Sequence, residues 1–187
     1  VLRDIGGECL DETGGLFVGL AEDDAAYFEE KRAACEEVGI PVEEIDPAAA
    51  RELAPGLAED VERVMRVPDG VVYPSRLVAA NALDAEEHGA DIHPNAPLES
   101  LRVEDGAVTE ARVGGSVDDT IRPEYVVNAA GAWAGTVAEM AGLDVEMQPT
   151  RGVMVSVEYE ELGPVLNRCR DPDDGDIVVP HGSEAVL

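Results

Sequence analysis

Apolar positions along this chain recur at two spacings, and together they predict a mixture of short strands and helices. Gly15-Leu16-Phe17-Val18-Gly19-Leu20 reads as a strand. Asp23 or Asp24 can cap a helix to about Val38, with Ala26, Tyr27, Ala33, Ala34 and Val38 as apolar positions and Gly39 as its stop. Val42 to Ile45 is a short strand, and Asp46-Pro47 opens a second helix that ends before Pro55. Val61 to Val67 alternates as a strand before the turn Pro68-Asp69-Gly70. A third helix opens at Pro74-Ser75-Arg76-Leu77 and is apolar enough to predict deep burial, and Asp91-Ile92-His93 follows as a strand. Leu98–Val103 and Ala107–Val113 flank the hairpin signal Glu104-Asp105-Gly106, with an edge strand expected over Thr120–Pro123. Near the end, Gly152–Glu158 turns Val153, Val155 and Val157 to one face, Leu166–Arg170 and Ile177–Val179 read as strands around a turn at Asp171–Asp176, and Ser183–Leu187 starts another.

The stretch Tyr125–Leu143, YVVNAAGAWAGTVAEMAGL, stands apart. Tyr125, Val126 and Val127 predict a short buried strand. Trp133, Val137, Met140 and Ala141 recur at helical spacing. Between them Asn128-Ala129-Ala130-Gly131 turns with little side-chain bulk, leaving helix N–H groups open to a close ligand such as a phosphate. On shape alone an ordinary strand-to-helix turn is the favoured reading.

Composition sharpens the picture. Hydrophobic residues make up 45% of the 187, which fits a folded core and argues against disorder. Against 41 acids stand 13 bases, and Lys31 is the single lysine. The net charge of -28 excludes nucleic acid and anionic lipid as natural partners. Acids spread through amphipathic segments, with scarce lysine, point to adaptation to high salt. No apolar run is long enough to span a bilayer. Cys9, Cys35 and Cys169 are far apart and read as small buried hydrophobes in a reducing compartment. His88, His93 and His181 have no ligand spacing, so no metal site is expected.

Four stretches carry more. ECLDETGGLFVGLAEDD, VPDGVVYPSRLVAANALDAEEHGADI, YVVNAAGAWAG and LNRCRDPDDGDIVVP, in that order, resemble the FAD-bearing A subunit of anaerobic glycerol-3-phosphate dehydrogenase, within the D-amino-acid-oxidase-like FAD oxidoreductases. A haloarchaeal member would account for the acidity. The resemblance implies part of an FAD/NAD(P)-binding α/β domain interleaved with an antiparallel-sheet substrate domain, mixed α/β (α+β) in class. Residues 1–73 and 149–187 fall to the substrate side and 74–148 to the FAD side. It also implies oxidation of sn-glycerol 3-phosphate to dihydroxyacetone phosphate, a hydride leaving for the flavin and electrons passing through partner subunits to a quinone. The place of such an enzyme is cytoplasmic, at the inner face of the membrane, without insertion into it.

Site residues follow from the same resemblance. Asn128, Ala129, Ala130 and Gly131 fall on the family's second FAD-contacting turn, where backbone approaches the flavin diphosphate and Trp133 packs beside it. Leu98 falls on a main-chain contact to adenine; a plain strand residue is the competing reading. Arg151, Arg168 and Arg170 stand out in a cation-poor chain as candidates for the substrate phosphate, against pairing with nearby acids. His181 is a weaker candidate base, and no catalytic residue is assigned. The family's opening GxGxxG is absent from the sequence. The chain is therefore expected to be the middle of a longer enzyme, cofactor-free and inactive by itself, with exposed edges that could drive self-association. Two other readings stay open: an amino-acid or sarcosine-type oxidase of the same superfamily, and a stand-alone acidic binding module.

Overall fold

The computed structural model describes residues 7–159, 162–171 and 176–187. Gly6 and most of the turn expected at Asp171–Asp176 lie outside them. The strands are β1 (Leu10–Asp11), β2 (Gly15–Leu20), β3 (Glu43–Ile45), β4 (Val61–Val67), β5 (Val71–Val72), β6 (Leu98–Glu104), β7 (Ala107–Val113), β8 (Asp119–Ile121), β9 (Ser156–Glu158), β10 (Val165–Arg168), β11 (Ile177–His181) and β12 (Glu184–Val186). The helices are α1 (Ala25–Glu37), α2 (Pro47–Leu53), α3 (Pro74–Glu87) and α4 (Ala134–Met140). The chain divides into two compact units: Val1–Asp84 with Gly152–Leu187, and Ala85–Arg151.

The first unit is built on a seven-stranded sheet of order β3-β4-β2-β10-β11-β12-β9, with β1 and β5 paired in a separate ribbon. Every neighbouring pair in the sheet is antiparallel except β2 and β10, which run parallel from Gly15↔Val165 to Arg168↔Val18. Both faces of β2 are covered. On one, Leu16 and Val18 join Ala50, Ala54, Leu57, Val61 and Val64 around α2. On the other, Phe28 of α1 packs with Met65, Val67 and Cys169. β4 serves both cores by the alternation of its side chains, and a register shift opposite Gly19 and Leu20 turns Val61 to the side of Val64 although they are three residues apart. Gly15 is required by space, since a Cβ there would sit 2.7 Å from Asp69 Cβ.

Local signals account for the helices. Asp24 Oδ1 accepts from Ala26 N (2.8 Å) and Asp46 Oδ1 from Ala48 N (2.7 Å), each capping the helix it precedes. Pro47 stands at the first turn of α2. Arg63 ties α1 to the sheet: its guanidinium lies 4.0 Å over the Phe28 ring and bonds Glu29 and Glu44.

The second unit is the three-stranded antiparallel sheet β6-β7-β8 with the short α4. The β6–β7 hairpin turns at Asp105 (φ 51°) and Gly106 (φ 79°), the left-handed pair that two-residue hairpins need.

Four expectations are corrected. Tyr125–Val127 form no strand and are exposed, Tyr125 and Val127 by more than four-fifths. A doubly buried strand needs partners on both sides, and no described strand pairs with these residues. Asp91–His93 is not a strand for the same reason. Helix α3 forms as expected but buries none of its residues, since no described sheet covers the stripe carrying Val78 and Leu83. Val153, Val155 and Val157 alternate yet stay exposed: Val155 exchanges backbone hydrogen bonds with Leu187 and Val157 pairs with Ala185, but this is the last strand of the sheet and its apolar side chains are left uncovered. The three cysteines are buried and free, as expected.

Met65 is fully buried between β4 and α1. Met65→Ala should lower stability by about 2–5 kcal/mol, read as a lower denaturant midpoint.

Candidate functional site

The turn after Val127 is shaped by its own side chains. Asn128 Oδ1 accepts from Ala130 N (3.2 Å) and its Nδ2 donates to Ala134 O (2.9 Å), so one amide spans the whole bend. A short 3-10 turn, Gly131–Trp133, then leads into α4. Gly131 has φ 54°, in the left-handed region, and no atom lies within 4 Å of where its Cβ would be. The N–H groups that open this turn have no intrahelical acceptor. Ala129 and Gly131 are exposed, and Trp133 is largely so. Leu98, half-buried, starts β6 opposite Val113 in the same unit. Small side chains, a backbone that can be approached closely and open N–H donors are what a diphosphate group requires.

The three arginines differ. Arg151 is exposed, and no carboxylate lies within ion-pair distance of it among the described residues. Arg168, at the end of β10, holds Asp23 with two nitrogens (2.8 and 3.1 Å) and also reaches Glu22 (2.7 Å). Asp23 is nearly buried, with 7% of its side chain exposed, and accepts from Leu20 N as well. The forked bond to Arg168 holds the Asp23 carboxyl below its ordinary value, and the same bond raises the guanidinium. Arg170 is paired with Asp176 by two bonds (2.7 and 2.9 Å). Arg168 and Arg170 are therefore built into the first unit's own ion pairs. Beside them burial pushes the Cys169 thiol up to about 11, so it is inert at neutral pH.

Sequence reasoning treats Asp23 and Asp24 as alternative helix caps. The structure gives the cap to Asp24 and gives Asp23 to Arg168, a partner 145 positions away that no local signal announces.

The fold and this turn define a class. The chain belongs to the FAD dependent oxidoreductase family, whose profile matches residues 2–187. It is 44% identical over 200 residues to the A1 subunit of anaerobic glycerol-3-phosphate dehydrogenase from Haloferax volcanii, covering 100% of this chain and 34% of that relative. It is 40% identical over 183 residues to the A subunit of anaerobic glycerol-3-phosphate dehydrogenase from Escherichia coli, covering 96% of this chain and 34% of the relative. The chain thus spans about a third of the length of these relatives. Among solved structures, L-proline dehydrogenase from P. horikoshii superposes with a TM-score of 0.79 at 20% identity, over 99% of this chain and 50% of that one. That likeness establishes the fold.

The residues of the turn fit the family's cofactor on this chain's own geometry: the left-handed Gly131 and the open space beside it leave the backbone approachable. Gly131→Val, strained at φ 54°, should lower the flavin absorbance per polypeptide of the full-length protein. Asp23 carries a pH signature. Its carboxyl is depressed from an ordinary 3.8, so its stabilisation is complete above that value and is lost as pH falls through the lower folded value. Asp23→Asn should remove this part of the acid dependence of unfolding, read from melting temperatures across an acid pH series.

Proposed function

We propose that the protein carrying this chain oxidises sn-glycerol 3-phosphate to dihydroxyacetone phosphate, with electrons passing through partner subunits to a quinone. The observation that carries this reading is the 44% identity to the Haloferax volcanii protein over the whole of this chain. When bound, FAD would supply the hydride acceptor. The residues that would hold its diphosphate are Asn128, Ala129, Ala130 and Gly131, with Trp133 beside them and Leu98 toward the adenine. Asn128 fixes the bend, and the small residues admit the phosphates. We place the enzyme in the cytoplasm, at the inner face of the membrane through its partner subunits.

The substrate is a doubly charged phosphate ester in a protein of strongly negative charge, so its recognition requires cations that the protein's own acids have not neutralised. Arg168 and Arg170 are paired with acids. Of the three sequence candidates, Arg151 therefore best meets the requirement. An amino-acid substrate is the second reading, favoured by the superposition on L-proline dehydrogenase. An amino acid brings one carboxylate and an amine where glycerol 3-phosphate brings a dianion.

In the full-length protein Arg151→Ala should raise KM for glycerol 3-phosphate about tenfold, with kcat little changed. A KM equal to wild type removes Arg151 from the site. Oxidation of proline or glycine in preference to glycerol 3-phosphate overturns the proposed substrate.

A further inference from the structure

Acids of this chain pair with most of its described arginines. Among the eleven described, eight have a carboxylate within 4 Å. The exceptions are Arg51, Arg76 and Arg151. Arg51 is occupied by two backbone carbonyls, those of Ala58 and Glu59.

Arg76 is different. It stands in the first turn of α3, exposed, with its guanidinium 4.7 Å over the Tyr73 ring and Nη1 donating to Glu8 O at 3.1 Å. One nitrogen and one face are used to hold the group in place, and the remaining donors of the fork are available. Tyr73 is itself fixed: its N–H donates to Cys9 O (2.8 Å), next to the β1–β5 ribbon. Against the same ring lies His181, the last residue of β11, with ring centroids 6.0 Å apart and planes at 53°. His181 is exposed. Its cross-strand neighbour Glu184 has its carboxylate bonded by Ser156 Oγ (2.7 Å). A guanidinium with no carboxylate in ion-pair range among the described residues, and an imidazole from the distant strand β11, thus each contact one half-buried tyrosine. In a chain of charge -28, a guanidinium with no carboxylate beside it among the described residues is the feature to be explained.

We propose that Arg76 and His181, each held against the Tyr73 ring, form an anion-binding site for a phosphate monoester. The ring fixes the guanidinium, so little side-chain entropy is lost when the anion binds. Arginine supplies the forked donors and His181 a further N–H. The identification of that monoester as glycerol 3-phosphate rests on the function proposed above; the anion chemistry does not.

The test uses the full-length flavoprotein. Arg76→Gln and His181→Gln should each raise KM for glycerol 3-phosphate about tenfold while kcat stays within about twofold, and each should weaken binding of inorganic phosphate, measured by calorimetry, to a similar degree. His181→Lys, which puts an ammonium at that place, should hold KM within about threefold of wild type. Wild-type KM and phosphate affinity in both glutamine variants overturn the site and leave the proposed function standing. Phosphate binding that depends on Arg76 in a protein that does not oxidise glycerol 3-phosphate supports the site and overturns the proposed function. Equal losses with glutamine and lysine at position 181 overturn an electrostatic role for that position.

Discussion

The parallel pairing of β2 with β10 is the constraint on which the first unit depends. It joins Gly15–Val18 to Val165–Arg168, two stretches separated by most of the chain, and the whole second unit leaves and returns between them. Closing so long an excursion has an entropic cost that one short ladder of hydrogen bonds does not offset by itself. The seam is reinforced from both faces and at its end. Leu16 and Val18 bury on one face and Cys169 packs with Met65 on the other, while Cys169 N–H donates to Val18 O at 2.7 Å. Where the strands finish, Arg168 grips Asp23. Loss of the seam would separate β3, β4 and β2 from β10, β11, β12 and β9, because no other described pairing in the sheet connects those two halves.

A large excess of acid changes what each cation does. Most arginines are tied to carboxylates on the surface, where an isolated pair contributes little. The pairs that matter structurally are those with a second contact: Arg63, which also lies over Phe28, and Arg168, whose partner is nearly buried. The same excess makes a guanidinium with no carboxylate beside it among the described residues informative.

Much of the architecture was legible in the sequence because it is local. Asp24 and Asp46 cap helices, Asp105-Gly106 turns a hairpin, and the strands of Gly15–Leu20 and Val61–Val67 carry their burial in their own pattern. What failed was inferred from hydrophobicity alone. Tyr125–Val127 are apolar, but a strand exists only where another strand accepts its hydrogen bonds, and that partner is not encoded in the stretch itself. The candidate turn was legible as a shape because one motif, Asn128–Gly131, makes it. What distant segments bring together was illegible. Nothing near Arg76 in sequence indicates His181, and nothing near Asp23 indicates Arg168.

The amide of Asn128 has one further consequence. By bonding Ala130 N and Ala134 O, it sets the bend from within the bend's own few residues. A ligand arriving at this turn would meet a backbone already frozen in shape. The loss of chain freedom then belongs to the making of the protein and is not repeated at each encounter, so the turn is preorganised before anything occupies it.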